Sequence, residues 1–143
     1  MTRSAAPVLL ETNVVLDVLL SREAFVQDGR AIFEQIERGE LSAFVCATTV
    51  TTIDYLASKA LGAPAARKLL ALLLDLCEVA PVTRAVLSDA IKSPLGDFED
   101  AVLCHAALGC GISAIITRNG KDFRGSGLQI YSPREWLLAQ GAA

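Results

Sequence analysis

Histidine is almost missing from this chain of 143 residues, which has only His105. The four cysteines, Cys46, Cys77, Cys104 and Cys110, include no Cys-x-x-Cys pair, so a tetrahedral zinc site is not expected. No apolar stretch reaches the ~18–20 residues that span a bilayer. The run before Glu11 in MTRSAAPVLLETN is too short for the core of a secretory signal, and the first residues are expected to be frayed and to lead into a strand. The thiols are therefore expected to be reduced core residues of a cytoplasmic protein. An excess of positive charge is lacking too. A net charge of −3 argues against coating DNA through bulk charge, although an acidic site can meet a phosphate when divalent cations lie between them. No repeat, low-complexity segment or linker divides the chain, whose length suits one domain over residues 1–143.

What the sequence does have is apolar mass. Hydrophobic residues make up 52 % of it, which excludes general disorder. Five short apolar runs read as strands: Pro7 to Leu10, Ala43 to Cys46, Glu78 to Val82, Ala114 to Ile116 and Leu128 to Tyr131. Most are continuously apolar, the pattern of a parallel sheet covered on both faces. Between them lie helical patterns over Gln27 to Glu37, Thr49 to Leu61, Pro64 to Leu76, Thr83 to Ile91, Asp97 to Leu108 and Pro133 to Ala139, several closed by glycine. The alternation predicts an α/β three-layer domain with a central parallel sheet of about five strands and right-handed crossovers. In ARKLLALLLDLCEV the leucines cover almost the whole helix circumference, so one face must pack inward and the rest either lies under a neighbour or forms a dimer surface.

The stretch VLLETNVVLDVLL places Glu11 where the first strand ends. Either Thr12 or Asn13 caps a following helix, or Glu11 is a rim carboxylate whose turn Thr12 and Asn13 fix. Asp17, six residues on, reads as a helix-surface charge. In open parallel sheets ligands bind beyond the carboxyl ends of the strands, where strand order reverses. If the first and fourth strands are neighbours, Glu11 meets Thr117, Asn119 and Asp122 of TRNGKDFRG on one edge. Asp97 and Asp100 share a helix face in GDFEDAV, where they also suit a helix N-terminus. Two like charges ~4 Å apart repel by up to ~4 kcal/mol at an effective dielectric of 20, so such a cluster calls for protons or cations. Oxygen ligands alone select Mg²⁺ or Mn²⁺ over zinc, and a site of that kind can hold a phosphodiester for in-line attack. Arg118, Lys121 and Arg124 fall beside it and could hold a phosphate backbone.

LLETNVVLDVLL, FEDAVLCHAAL and AIITRNGKDF, in that order, resemble the three motifs of the PIN-domain family, and among its branches the VapC-type toxins of type II toxin–antitoxin modules. The resemblance covers nearly the whole chain. It implies a parallel sheet with helices on both faces, Mg²⁺- or Mn²⁺-dependent cleavage of RNA, a homodimer and a small antitoxin partner. It places Glu11 at the first acid, Asp100 at the central-helix acid and Asp97 at an acid found one turn earlier in some relatives. Thr117, Asn119 and Asp122 match the last motif. The expected metal ligands are Glu11, Asp97 and Asp100, with Asp122 a lesser contributor, Asn119 and Thr117 orienting ligands, and Arg118 and Lys121 on the substrate.

Two positions depart from the family pattern. Its first acid is usually aspartate, and Thr52 rather than Asp54 stands where many relatives carry an acid on the helix after the second strand. Residues two apart on a helix point about 200° apart, so Asp54 is a poor substitute for Thr52. These departures motivate an alternative, a catalytically weak or inactive PIN-like domain that binds RNA or a protein partner. A receiver- or phosphatase-like α/β domain ranks below both, because the first strand end carries one acid and no aspartyl nucleophile with a following acid is evident.

Overall fold

In the computed structural model, which describes residues 6–141, five strands form one sheet. They are β1 (Val8–Leu10), β2 (Ala43–Cys46), β3 (Glu78–Ala80), β4 (Ala114–Ile116) and β5 (Gln129–Tyr131). All pairings are parallel and the order is β3-β2-β1-β4-β5. Seven helices surround the sheet: α1 (Thr12–Leu19), α2 (Val26–Glu37), α3 (Ala47–Leu61), α4 (Ala63–Leu76), α5 (Arg84–Ile91), α6 (Phe98–Gly109) and α7 (Pro133–Gly141). The expected α/β three-layer architecture is present. The frayed N-terminal residues expected ahead of β1 lie outside the described residues.

Strand alternation splits the interior into two apolar layers. Val8, Leu10, Val45, Ala114 and Ile116 face a cluster that holds Val15, Ile32, Ile53, Leu73 and Trp136. Leu9 and Ile115 face the opposite way, onto Val86, Ala90, Leu103, Ala107 and Phe123. Because both of their faces are covered, the central strands β2, β1 and β4 read as continuous apolar runs, whereas the edge strands β3 and β5 carry exposed Glu78 and Gln129. The β2 and β4 bounds are those expected. The run expected to continue to Val82 leaves the sheet at Ala80, since Pro81 has no N–H to give to a ladder.

Gly62 is the single residue between α3 and α4, and its φ of 88° is one that side-chain-bearing residues avoid. The sharp reversal packs the leucine-rich α4 against α3. Within α4 only Ala66 and Leu73 are fully buried, and Leu72 and Leu74 remain exposed. The four cysteines are free, with Cys46, Cys77 and Cys104 buried and Cys110 half-buried. Burial pushes the thiols of Cys77 and Cys104 up to about 12 and about 11. No helix among the described residues is long and apolar enough to cross a membrane.

Strand order reverses between β1 and β4, which pair with Leu9 opposite Ile115 and Leu10 opposite Ile116. The crevice beyond their carboxyl ends is therefore the topological switch point.

Candidate active site

The β1–β4 ladder runs one residue past the strands. The Glu11 N–H donates to the Ile116 carbonyl at 3.0 Å, which sets Glu11 beside Thr117. Glu11 is also the N-cap of α1: its Oε2 accepts the Asn13 backbone N–H at 3.0 Å and the Asn13 Nδ2 at 3.3 Å. Neither Thr12 nor Asn13 is the cap, contrary to the plainer of the two readings of this turn. The Thr117 hydroxyl donates to Glu11 Oε1 at 3.4 Å and accepts the Asn119 N–H at 3.0 Å. Thr12 turns the other way, and its hydroxyl pairs with that of Thr49 on α3 at 2.9 Å. Glu11 is only 7 % exposed. Burial pushes its carboxyl above the ordinary 4.5, against the opposing pull of Asn13, Thr117 and the Arg118 guanidinium.

Across the crevice, Asp97 caps α6 by accepting the Asp100 N–H at 2.9 Å, the role a helix start invites. Asp100 sits in the first turn, partly buried. Its carboxyl is pushed from 3.8 up to about 6, by burial first and then by the charges of Asp97, Glu11, Asp122 and Glu99. Glu11, Asp97 and Asp122 therefore each act electrostatically on Asp100, although 86 residues or more separate Glu11 from the others in sequence. Asp122 lies in a 3-10 turn (Gly120–Phe123) that follows β4. A groove of about 480 Å³ is bordered by Asp97, Asp100 and Asp122 together with Lys121 and Arg124. Asn119, which precedes the turn, is exposed.

Arg118 has a more constrained place. Its Nε donates to Asp17 Oδ2 at 2.7 Å and its Nη2 to Asp17 Oδ1 at 3.3 Å, and the guanidinium lies 3.8 Å over the Phe25 ring. Its Nη1 makes no hydrogen bond among the described residues. Asp17 is thus not the helix-surface charge expected from sequence. It is 2 % exposed and paired with two arginines, Arg118 and Arg22. The residues that sequence reasoning missed are Asp17 and Arg22. The available signal was an acid flanked on both sides by apolar residues in VVLDVLL.

On α3, Thr52 is half-buried, and Thr49, not Thr52, makes the hydroxyl contact to the rim. Asp54 faces elsewhere: it accepts from Ser58 at 3.4 Å and pairs with Arg67 of α4 at 3.7 Å. No other acid lies on α3.

Among the described residues, no three carboxylate, imidazole or thiolate side chains converge as a ready-made metal cage. Mg²⁺ does not require one, since it binds through one or two carboxylates and keeps several waters. The donors present are carboxylate, amide and hydroxyl oxygens, and Asp100 is held up to about 6 partly by neighbouring negative charge. A hard divalent cation fits that chemistry.

The family model of the PIN domain matches residues 7–121. No curated protein matches the chain. Among solved structures, the chain is similar to the DNA-bound VapBC complex of Salmonella typhimurium (17 % identity, 90 % of this chain and 99 % of that one, TM-score 0.69). It is likewise similar to a toxin–antitoxin complex from Klebsiella pneumoniae (19 %, 90 % and 98 %, 0.65). A third is VapC20 of Mycobacterium tuberculosis, a toxin that cleaves the sarcin–ricin loop (15 %, 76 % and 86 %, 0.61). These three likenesses concern the fold. With the family model spanning β1 through the turn after β4, the chain belongs to the PIN-domain family.

Proposed function

We propose that this chain is a VapC-like endoribonuclease that hydrolyses RNA phosphodiester bonds with Mg²⁺ or Mn²⁺ at its carboxylate cluster. PIN domains are typically nucleases and generally use divalent metals. The observation that supports the reading is the gathering of Glu11, Asp97 and Asp122 around Asp100 near the switch point, where burial first and then their charges push the Asp100 carboxyl up to about 6. Glu11 and Asp100 would hold the cation, with Asp97 beside them and Asp122 a lesser contributor. The bound ion would neutralise the cluster and activate water for attack on phosphorus. Thr117 fixes Glu11 Oε1, and Asn119, exposed beside it, orients ligands at the crevice. Lys121 and Arg124, on the groove, and the free Nη1 edge of Arg118 hold the phosphate backbone.

The test is RNA cleavage by the purified, partner-free chain with Mg²⁺ or Mn²⁺ against EDTA, with Asp100→Asn alongside. Metal-dependent cutting lost in the variant supports the assignment, and full activity in Asp100→Asn sinks it. The same reading assigns a small antitoxin as partner and a homodimer as the working state. Co-purification with the product of a neighbouring gene and molar mass by light scattering check these two points.

A second reading rests on the glutamate at position 11 and on an α3 whose only acid is paired with Arg67. In that reading the domain binds RNA or a partner without cutting it. An inert chain made active by Glu11→Asp would favour it. Vigorous cleavage by the unaltered chain would end it.

A further inference from the structure

We propose that Asp17 is a positioning residue that fixes the Glu11 carboxylate through two arginine arms without touching substrate or metal. The inference rests on the nuclease reading for its use, and on geometry for its content. Along the first arm, Asp17 Oδ1 accepts Arg22 Nη1 at 3.4 Å, and the same nitrogen donates to Asn13 Oδ1 at 3.3 Å. That contact turns the Asn13 amide so that its Nδ2 faces Glu11 Oε2 at 3.3 Å. The second arm is Arg118, gripped by Asp17 at 2.7 and 3.3 Å and backed by the Phe25 ring, which anchors the chain next to Thr117, whose hydroxyl donates to Glu11 Oε1 at 3.4 Å.

The backbone is built for this arrangement. At the end of α1 the Arg22 N–H returns to the Asp17 carbonyl at 2.9 Å and the Ser21 N–H to Val18 at 3.2 Å, with Ser21 left-handed at φ 50°. This six-to-one and five-to-two pattern is a Schellman closure in which a serine takes the place usually filled by glycine. It folds Arg22 back over the helix end, within reach of both Asp17 and Asn13. An aspartate this deeply buried costs desolvation and is held only by good partners. Two arginines converging on it, each leading to Glu11, give the burial a purpose that packing alone does not. Groups that hydrogen-bond a metal-binding carboxylate orient it, and their loss typically weakens metal affinity about 10–100-fold.

The experiment uses RNA-free protein. Mn²⁺ binding is followed by the electron paramagnetic resonance signal of the free ion. The Asn13 side-chain amide is followed by nitrogen–proton NMR without metal. The variants are Asp17→Asn, Arg22→Met and Arg22→Lys. Arg22 is 37 % exposed, so Arg22→Met keeps the test alive if Asp17→Asn does not fold. The expected result is an Asn13 amide moved toward free asparagine and Mn²⁺ affinity about ten-fold weaker in Arg22→Met, both largely restored in Arg22→Lys, with melting temperatures near wild type. An unmoved Asn13 amide overturns the proposal, as does unchanged Mn²⁺ affinity in variants of a wild type that binds the ion. If wild type takes up no Mn²⁺ and cuts no RNA, the nuclease reading fails. The Asn13 amide then decides the positioning claim alone.

Discussion

Asp100→Asn should make the protein more stable while it abolishes cleavage. The carboxyl of Asp100 is raised from 3.8 to about 6 by burial and by four neighbouring acids. A carboxyl held above its unfolded value destabilises the fold when ionised: the penalty is full above pH 6, shrinks as pH falls through 6, and is gone below 3.8. The rise from 3.8 to about 6 corresponds to about 3 kcal/mol. Asp100 is only partly buried, and solvent screening reduces this to roughly 1 kcal/mol. The amide has no charge to lose, so it should gain about 1 kcal/mol at pH 7.5, or about 2–4 °C in melting temperature for a chain of this size. Thermal melts by circular dichroism in EDTA at pH 7.5 and pH 4 check this, because the advantage should fade at the lower pH. Saturating Mn²⁺ should reverse the order at pH 7.5, since binding stabilises only the chain that still holds the ion. An Asp100→Asn protein that melts below wild type at pH 7.5 in EDTA would refute the picture of a charge-strained cluster.

Other expectations follow from single contacts. A Cβ on Gly29 would lie 2.6 Å from Val18 Cγ2, so Gly29→Ala should destabilise by about 1–2 kcal/mol in urea titration, and Val18→Ala should relieve it in the double variant. The buried hydroxyl pair of Thr12 and Thr49 at 2.9 Å predicts that Thr12→Val alone costs about 1–3 kcal/mol, and that adding Thr49→Val recovers most of it. Iodoacetamide at pH 8 should modify the native chain first at Cys110, because the thiols of Cys77 and Cys104 are buried and held at about 12 and about 11. Mass spectrometry of the modified peptides checks the order.

The layered fold was readable because its signals are local. A continuous apolar run such as AFVC or AII needs cover on both faces, and both of these became strands with the expected bounds. That β1 and β4 are neighbours was only a condition in the sequence, and the fold supplies it through the pairing of Leu9 with Ile115. The motifs marked Glu11, Asp97, Asp100 and Asp122 without showing how they meet. What stayed hidden is what depends on distant partners. Asp17 looked like surface because its main partner, Arg118, lies 101 residues away, and because Arg22, five residues on, reaches it only through the turn that closes α1. Glu11 as a helix cap was equally hidden, since glutamate is not among the favoured capping residues and the role emerges only from the turn geometry.

The central place of β1 has a temporal consequence. The strand is made before the two that flank it, yet one of its edges waits for β4, and the Thr117 hydroxyl that completes the Glu11 contact comes 106 residues after Glu11. At ordinary translation speeds that interval is on the order of 5–20 s. Throughout it β1 offers an open edge on the nascent chain, a place where chaperones or misplaced strands can pair. No product that stops short of β4 can carry the rim at all, so the carboxylate cluster comes into being only after β4 and the turn that follows it have been made.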